Sequence, residues 1–275
     1  MPLKVYHSNG KPDYLLLLDF DETYYPHELK RWQLKNLYEL EDYLENLLYE
    51  KNILIGWVTG SSLVDIHKKM KAAGMNYLPH FIASNLGTEY WELNQDGEYI
   101  QNKTWCKKIK TSGFCQKKVE DLVLDLKQIY GIDLQKQTQF GQQTLKMNYY
   151  YFIENSVKTK YAIDIIRTIG ASNGVYININ RCNPLAGDPD NAYDVDFIPQ
   201  NTGKRAVAQF AMEQFRIPYE NTLAFGDSGN DIEMLKAVKH GYLLQNATEE
   251  AKQLHLSLTS EPYANGIKKV CMDLF

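Results

Sequence analysis

The chain has 275 residues, 44% hydrophobic and 23% charged, which is the composition of a globular protein with a buried core. Its formal net charge of −4 provides no general basic surface, which argues against binding to nucleic acid or to an acidic membrane. The four cysteines form no CxxC pair, and the longest aliphatic run, Leu15–Leu18, is too short for a membrane span, so we expect a cytoplasmic protein with free thiols.

The first part of the chain alternates predicted strands with predicted helices. In chain order these are a strand at 14–20, a helix at 28–50, a strand at 53–58, a helix at 61–73 and a strand at 81–83. The first helix has leucines at helical spacing, and Gly74 ends the second. Such alternation predicts parallel strands in a doubly wound sheet.

The pattern changes near residue 88. The turn sequence Asn94-Gln95-Asp96-Gly97 predicts a hairpin between strands at 90–93 and 98–101. The elements that follow are a helix at 117–130, a strand at 145–153, a helix at 157–169, and strands at 175–180 and 193–198. We interpret this stretch as an α+β lobe. The run Tyr149–Tyr151 either packs inside it or lines a pocket, and the sequence leaves both open.

Alternation then returns. A helix is predicted at 203–215, a strand at 222–226, a helix at 231–238, a strand at 242–244 and a helix at 248–254. The fold class is therefore α/β, with a doubly wound, Rossmann-like parallel sheet formed by residues 1–87 and 199–275. Residues 88–198 are predicted to form an inserted α+β domain.

Two acids directly follow the first predicted strand, in the segment Asp19-Phe20-Asp21-Glu22-Thr23. The carboxyl ends of the strands form the ligand crevice of such sheets. One carboxylate can attack a substrate while the other gives or takes a proton, and the Thr23 hydroxyl can hold the loop. The alternative is a plain turn before a helix.

Hydroxyl groups and a lysine stand at two helix starts. Thr59, Gly60 and Ser61 follow the strand at 53–58, where free backbone N–H groups suit an oxyanion such as phosphate. A serine N-cap is the ordinary alternative. Lys204 lies at the start of the helix at 203–215, where a cation interacts unfavourably with the helix dipole, so we predict that it binds an anion. The ordinary alternative is a surface lysine.

A loop rich in oxygen ligands follows the strand at 222–226, with the sequence Gly226-Asp227-Ser228-Gly229-Asn230-Asp231. Mg²⁺ prefers carboxylate and amide oxygens together with water and substrate phosphate. We therefore predict that Asp227, Asn230 and Asp231 contribute to a magnesium site. Because all four segments lie at strand ends or helix starts, we expect one rim that binds a phosphate group and a metal.

These motifs resemble those of the haloacid dehalogenase superfamily of phosphatases, and their spacing resembles the sucrose-phosphate-phosphatase branch. The resemblance implies that Asp19 attacks phosphorus and that Asp21 protonates the leaving oxygen and then activates water. Thr59 and Lys204 would hold the phosphoryl oxygens. Mg²⁺ would be bound by Asp19, by the Asp21 carbonyl and by Asp227, with Asn230 and Asp231 positioning its waters or Lys204.

One departure from the family pattern is Glu22, where many members have glycine, and it leaves the shape of the loop open. An aspartic acid that gives a proton near neutral pH needs a raised pKa. We expect closure of the inserted domain over the site to provide it.

A narrower resemblance concerns the substrate. The segments Asp19–His27, Gly56–Ser62, Asn178–Pro189 and Tyr193–Pro199 resemble phosphatases of bacillus aminosugar-antibiotic pathways, which implies kanosamine 6-phosphate. The alternative is a sucrose-phosphate-type or broad sugar-phosphate phosphatase. The predicted substrate-binding residues, besides Gly60 and Ser61, are Asn180, Arg181, Asn183 and Asp188, unless the prolines and Gly187 there only shape a loop.

Three other functions remain as alternatives. A sugar-phosphate mutase shares these acids and differs in its product. A serine hydrolase is suggested by Gly226-Asp227-Ser228-Gly229 alone, and a non-catalytic binding protein would not need the full set of carboxylates. The predicted partner is a small phosphorylated sugar, with no nucleic acid and no membrane, and the protein is predicted to be a monomer or weak homodimer.

Overall fold

The structure is a computed structural model that describes residues 4–5, 10–138, 144–184 and 187–275. Its strands in chain order are β1 (Lys4–Val5), β2 (Tyr14–Leu18), β3 (Ile53–Val58), β4 (Tyr77–Leu78), β5 (Phe81–Ser84), β6 (Glu89–Leu93), β7 (Tyr99–Gln101), β8 (Gln135–Lys136), β9 (Met147–Phe152), β10 (Val175–Arg181), β11 (Ala192–Pro199), β12 (Thr222–Gly226) and β13 (His240–Leu243). The chain divides into a large unit, Met1–Lys103 with Lys204–Phe275, and a small unit, Thr104–Gly203.

The helices connect these strands. In chain order they are α1 (Arg31–Lys51), α2 (Leu63–Ala73), α3 (Lys103–Lys110), α4 (Gln116–Tyr130), α5 (Ser156–Ser172), α6 (Lys204–Phe215), α7 (Ile232–Leu235), α8 (Glu249–Leu254) and α9 (Tyr263–Leu274). Among the described helices, none combines the length and the hydrophobicity needed to cross a membrane.

The large unit is built on a sheet with the strand order β13-β12-β2-β3-β5-β6-β7. The strands from β13 to β5 pair in parallel, as the alternating pattern predicts, whereas β6 and β7 are antiparallel. The four leucines of β2 are fully buried because the sheet is covered on both faces. This arrangement places the ends of β2, β3 and β12 side by side.

The hairpin formed by β6 and β7 belongs to the large unit, so its predicted assignment to the inserted domain is wrong. β6 pairs with β5 through Phe81–Glu92 and Ile82–Trp91, and thereby extends the large sheet. The boundary lies after Lys103 instead of residue 87, and the chain returns to the large unit at Lys204 instead of residue 199.

Two predicted helices differ at their ends. The helix predicted from residue 28 starts at Arg31, because Leu29 adopts a left-handed conformation with φ 48° that a helix does not tolerate. The helix predicted at 231–238 is a 3₁₀ turn, Gly229–Asp231, followed by the short α7. Gly74 does end α2, in a left-handed conformation with φ 62°.

The small unit contains an antiparallel sheet with the strand order β10-β11-β9-β8. Alternate residues of its strands pack with α4 and α5 into an apolar core that includes Tyr149, Tyr151, Val195 and Phe197. Tyr150 points to the other face, as the two-residue periodicity of a strand requires. The tyrosine run is therefore divided between the core and the opposite side of the sheet.

Candidate active site

Asp19 follows β2 and is held at the centre of the large sheet. Its backbone N–H donates to the carbonyl of Phe225 in β12 at 3.0 Å, so the neighbouring strand fixes its position. Thr23, in the same loop, donates its hydroxyl to Asp227 Oδ1 at 3.2 Å. The predicted role of Thr23 in holding the loop is thus matched by a contact between the two motif segments.

Lys204 is the cation of the site. Its Nζ lies 2.6 Å from Asp19 Oδ1 and 2.6 Å from Asp231 Oδ1, and its side chain is 2% exposed. Burial alone would lower the pKa of Lys204, but the two carboxylates raise it above its usual value. The lysine at the start of α6 is therefore a buried, charged group and not a surface residue.

Asp231 fixes the loop after β12. Its Oδ2 accepts hydrogen bonds from the backbone N–H groups of Asp227 and Ser228, both at 3.0 Å, while Oδ1 accepts from Lys204. Gly226 makes room for this carboxylate, since a Cβ there would lie 2.3 Å from Asp231 Cγ. With these donors on both oxygens, Asp231 positions Lys204 and the loop.

Three buried carboxylates meet here. Asp19, Asp227 and Asp231 each offer an oxygen, and these oxygens lie within 4.8 Å of one another. Burial, opposed in part by the charge of Lys204, raises the pKa of Asp19 to about 7, and burial together with the charge of Asp19 raises the pKa of Asp227 well above its usual value. Because one lysine faces three carboxylates, the site fits a divalent cation bound by oxygen ligands.

Asn230 lies in the 3₁₀ turn of the same loop. Its Oδ1 accepts a hydrogen bond from the hydroxyl of Ser228 at 3.2 Å, and Asn230 is partly exposed. Its predicted contribution to the metal site stays a prediction.

Asp21 points to a different set of partners. One oxygen contacts His27 Nε2 at 2.9 Å and accepts a hydrogen bond from Lys69, and the other accepts one from Ser61 at 2.6 Å. Burial alone would raise the pKa of Asp21, but the hydrogen bond from His27 and the charge of Lys69 outweigh it and hold the pKa well below its usual range. The rise in the pKa of Asp21 that is expected on closure of the inserted domain stays a prediction.

Sequence reasoning missed His27 and Lys69. Lys69 lies in α2, and a helical lysine is most often exposed to solvent, so its residue type gave no signal. His27 lies six residues after Asp21 in the same loop, and this short separation in sequence could have identified it as a partner of Asp21.

The hydroxyl segment after β3 also reaches Asp21. Ser62 is the N-cap of α2, with its oxygen accepting from the N–H of Asp65, so Ser61 is free for another role. Ser61 donates to Asp21, and the buried Thr59 lies 3.5 Å from the same carboxylate oxygen through its Oγ1. Gly60, between them, has no positive φ and is partly exposed.

Glu22 adopts the left-handed conformation, with φ 56°, that a glycine would adopt without strain. Its side chain accepts hydrogen bonds from the N–H of His27 and the hydroxyl of Tyr263, both at 2.8 Å. Its carbonyl accepts another from Asn246 at 2.7 Å. These contacts stabilise a loop conformation that a non-glycine residue reaches at a cost of about 1–3 kcal/mol.

The structure brings the predicted residues of the large unit together around Asp19 and Asp21. The other predicted substrate-binding residues, Asn180, Arg181, Asn183 and Asp188, lie in the small unit. Asn180 and Arg181 are neighbours in β10 and therefore point to opposite faces of the sheet. Arg181 stacks on the Tyr193 ring and donates to the carbonyl of Asp190, while Asp188 accepts from the hydroxyl of Tyr150 at 2.8 Å. Asn183 accepts the N–H of Asp188 through its carbonyl at 3.4 Å.

Comparison with known proteins identifies the family of the chain. A family model described as sucrose-6F-phosphate phosphohydrolase matches residues 12–269. Kanosamine-6-phosphate phosphatase of Bacillus subtilis (strain 168) is 46% identical over 256 residues, which cover 93% of this chain and 90% of that protein. The residues matched by the family model include the four motif segments and the small unit.

Solved structures give the same result for the fold. A haloacid dehalogenase-like hydrolase protein from Bacillus subtilis is 43% identical, with a TM-score of 0.76 over 99% of this chain and 95% of that chain. The sucrose-phosphatase of a Synechocystis species, in complex with sucrose and phosphate, is 18% identical, with a TM-score of 0.73 over 95% of this chain and 98% of that one. The second likeness concerns the fold alone.

Proposed function

The chain belongs to the sucrose-6F-phosphate phosphohydrolase family of the haloacid dehalogenase superfamily, and on that premise we propose that it hydrolyses a sugar phosphate with Asp19 as the nucleophile. The observation that carries this proposal is the buried Asp19 carboxylate, 2.6 Å from the Lys204 ammonium and beside Asp227. A carboxylate and a phosphate ester repel each other, so an attack requires positive charge at this point. The site offers a lysine and the ligands for a cation.

In the first step an Asp19 oxygen forms a bond to phosphorus, and the bond from phosphorus to the sugar oxygen breaks. Asp21 donates a proton to the leaving oxygen, and an aspartyl phosphate remains on Asp19. In the second step a water oxygen bonds to phosphorus and the bond to Asp19 breaks. Asp21 takes the proton of this water, and inorganic phosphate leaves.

The contacts of Asp21 bear on these two steps. An ionised Asp21 suits the second step, in which the carboxylate accepts a proton. The first step requires a protonated Asp21, so the hydrogen bonds from Lys69 and His27 must weaken before the leaving oxygen is protonated. Thr59, Gly60, Ser61 and Lys204 are proposed to hold the phosphoryl oxygens.

Mg²⁺ is the proposed cofactor. The Asp19 carboxylate, the Asp21 carbonyl and the Asp227 carboxylate would hold it, with Asn230 and Asp231 in supporting positions. When bound, the ion supplies positive charge that neutralises the carboxylates and the phosphoryl oxygens. The three clustered carboxylates and the raised pKa values of Asp19 and Asp227 support this assignment.

The proposed substrate is kanosamine 6-phosphate, which would give kanosamine and phosphate in the biosynthesis of an aminosugar antibiotic. The similarity to kanosamine-6-phosphate phosphatase over nearly the whole chain supports it. Asn180, Asn183 and Asp188 are proposed to bind the sugar, as is Arg181, although Arg181 lies on the other face of the sheet from Asn180. A sucrose-phosphate or broad sugar-phosphate phosphatase is the alternative that the family model supports.

A phosphate-release assay tests the proposal. Kanosamine 6-phosphate, glucose 6-phosphate, mannose 6-phosphate, fructose 6-phosphate and sucrose 6-phosphate are compared with Mg²⁺ present, and then with EDTA. We expect Mg²⁺-dependent release of phosphate, reduced about 1,000-fold or more in Asp19→Asn because the nucleophile is lost. Asp125→Asn, on the exposed side of α4, is the control that retains activity.

The outcome separates the candidate functions. Highest activity on sucrose 6-phosphate would contradict the narrower substrate, and a rearranged sugar phosphate in place of free phosphate would identify a mutase. Full activity of Asp19→Asn would refute the mechanism.

A further inference from the structure

The sheet of the small unit carries a polar face that the apolar core does not use. The register aligns Asn178 with Asp196 and Asn148 across three strands, and in the next row Asn180 with Asp194 and Tyr150. These six residues, which alternate with the core residues of the same strands, define the polar face of the small sheet. Asp194 and Asp196 lie two residues apart on this face of β11. Burying two carboxylates there costs free energy unless each one accepts hydrogen bonds or pairs with a cation.

Asp196 is compensated by its neighbours. The side-chain amide of Asn148 donates to Oδ1, and that of Asn178 donates to Oδ2 at 3.1 Å. Both oxygens therefore have a donor within the sheet, and Asp196 is buried. This arrangement accounts for Asp196 as a structural group.

Asp194 is compensated less completely. Its Oδ1 accepts from Gln137 Nε2 at 2.7 Å, and the thiol of Cys182 is a further donor. The oxygen of the same amide, Gln137 Oε1, has no hydrogen-bond partner in the described part of the chain, and Gln137 is only 6% exposed. The nitrogen and oxygen of one amide are about 2.3 Å apart, so Gln137 Oε1 lies no more than about 5 Å from Asp194 Oδ1, and both oxygens are acceptors.

The charges around Asp194 have one sign. Burial, as the largest cause, and the carboxylates of Asp196 and Asp188 together raise the pKa of Asp194 to about 7. Among the described residues no lysine or arginine forms an ion pair with Asp194. A ligand with several N–H donors and a positive charge would satisfy Gln137 Oε1 and Asp194 together, whereas a neutral hydroxyl group would bring one donor and no charge.

We propose that Asp194 and Gln137 bind the protonated amino group of an amino-sugar phosphate, so that this pair makes the enzyme prefer an amino sugar to the corresponding neutral sugar. The inference rests on the proposed function, since it assigns the specificity of that reaction. The ammonium group donates to Asp194 and to Gln137 Oε1. Asp194 is a specificity-determining residue, and Asp196 keeps the sheet face in place.

The test compares two substrates that differ at one position. Kanosamine 6-phosphate has an amino group where glucose 6-phosphate has a hydroxyl, so the ratio of their kcat/KM values measures recognition of that group. We expect the wild-type protein to prefer the amino sugar by about tenfold to a hundredfold, the range of a charge-assisted hydrogen bond. In Asp194→Asn the ratio falls at least about tenfold, while kcat/KM for glucose 6-phosphate changes little.

Two further variants complete the test. Asp190→Asn alters an exposed acid of the same unit and retains the wild-type ratio. Gln137→Leu lowers the ratio without removing a charge. Because both substrates are measured on one protein sample, partial unfolding lowers both rates and leaves the ratio unchanged.

The results that overturn the inference are distinct from those that overturn the function. Hydrolysis of both sugars by the wild-type protein without preference, or an unchanged ratio in Asp194→Asn, refutes the role of Asp194 and leaves the phosphatase intact. Absence of phosphate release from every ester refutes the proposed function and this inference with it.

Discussion

Gly226 and Asp231 are packed against each other so closely that a Cβ on the glycine would lie 2.3 Å from Cγ of the aspartate. That contact lets the carboxylate reach the backbone N–H groups of Asp227 and Ser228. We expect Gly226→Ala to lower the free energy of unfolding by about 1–3 kcal/mol, since the side chain or the loop must shift. Urea denaturation measures this.

The matched substitution is Gly60→Ala in the other loop. A Cβ at Gly60 would meet Leu86 at 3.5 Å, an ordinary contact, so its unfolding free energy should change by less than about 1 kcal/mol. Equal losses in the two variants would contradict the steric explanation.

Lys204→Met should destabilise the protein as well as inactivate it. The substitution leaves Asp19 and Asp231 buried without their cation, which costs about 3–5 kcal/mol when one partner of a buried pair is removed. Urea denaturation in EDTA measures the loss. Lys236→Met, which removes an exposed ion pair with Glu233, serves as the control and should cost less than about 1 kcal/mol. An equal effect in both variants would count against a buried cation.

Mg²⁺ should stabilise the wild-type protein because it binds the folded carboxylates and not the unfolded chain. At a concentration one hundred times its Kd, the expected gain is about 2.7 kcal/mol, seen as a rise in Tm. Asp227→Asn removes a proposed ligand and should abolish most of this rise, while Asp125→Asn should retain it. A full Mg²⁺-induced rise in Asp227→Asn would place the ion elsewhere.

Lys69→Gln should raise the pKa of Asp21. Burial raises this pKa, and without the lysine only the hydrogen bonds from His27 and Ser61 remain to lower it. Carboxyl carbon-13 NMR titration of the metal-free protein measures the change. Lys68→Gln is the control, since Lys68 pairs with Asp65 and not with Asp21. An unaltered Asp21 titration in Lys69→Gln would show that the lysine does not stabilise the ionised carboxylate.

Glu41 gives the protein a pH-dependent stability. It is fully buried in α1, and burial raises its pKa from 4.5 to about 7, although it accepts hydrogen bonds from Asn76. The folded protein then binds a proton more tightly than the unfolded chain, so the unfolding free energy falls as the pH rises from about 4.5 to about 7, by roughly 3 kcal/mol.

Glu41→Gln removes this titration, because an amide does not ionise. We therefore expect the variant to become more stable relative to the wild type as the pH rises over the same range. Urea denaturation of both proteins at several pH values measures this change. A constant difference from pH 4.5 to 8 would contradict the raised pKa.

The sequence was most informative where buried strands end. Apolar runs predicted β3 and β12 at their observed bounds, and the motif residues follow such strands. The predicted family is confirmed by the match to residues 12–269. The sequence was less informative about α9, because Asn265-Gly266 is typical of a turn. In the structure Gly266 is inside the helix, where a Cβ would lie 2.2 Å from the Glu261 carbonyl oxygen.

Contacts between distant side chains could not be predicted from spacing. Lys69 contacts Asp21 only because α2 packs beside the loop that follows β2. The spacing of residues in the sequence does not predict that packing. The opposite orientations of Asn180 and Arg181, in contrast, follow from strand alternation, which was available in the sequence. The same alternation in β11 placed Asp194 and Asp196 together, without indicating which of them is compensated.

β2 and β12 are neighbours in the sheet, although Thr23 and Asp227 beside them are 204 positions apart in the chain. A ribosome adding about 5–20 residues per second needs on the order of 10–40 seconds to make that interval. During synthesis the nascent β2 thus presents an unpaired apolar edge, a natural target for chaperones. A translation product that stops before Asp227 would carry Asp19 without the neighbouring carboxylate of Asp227.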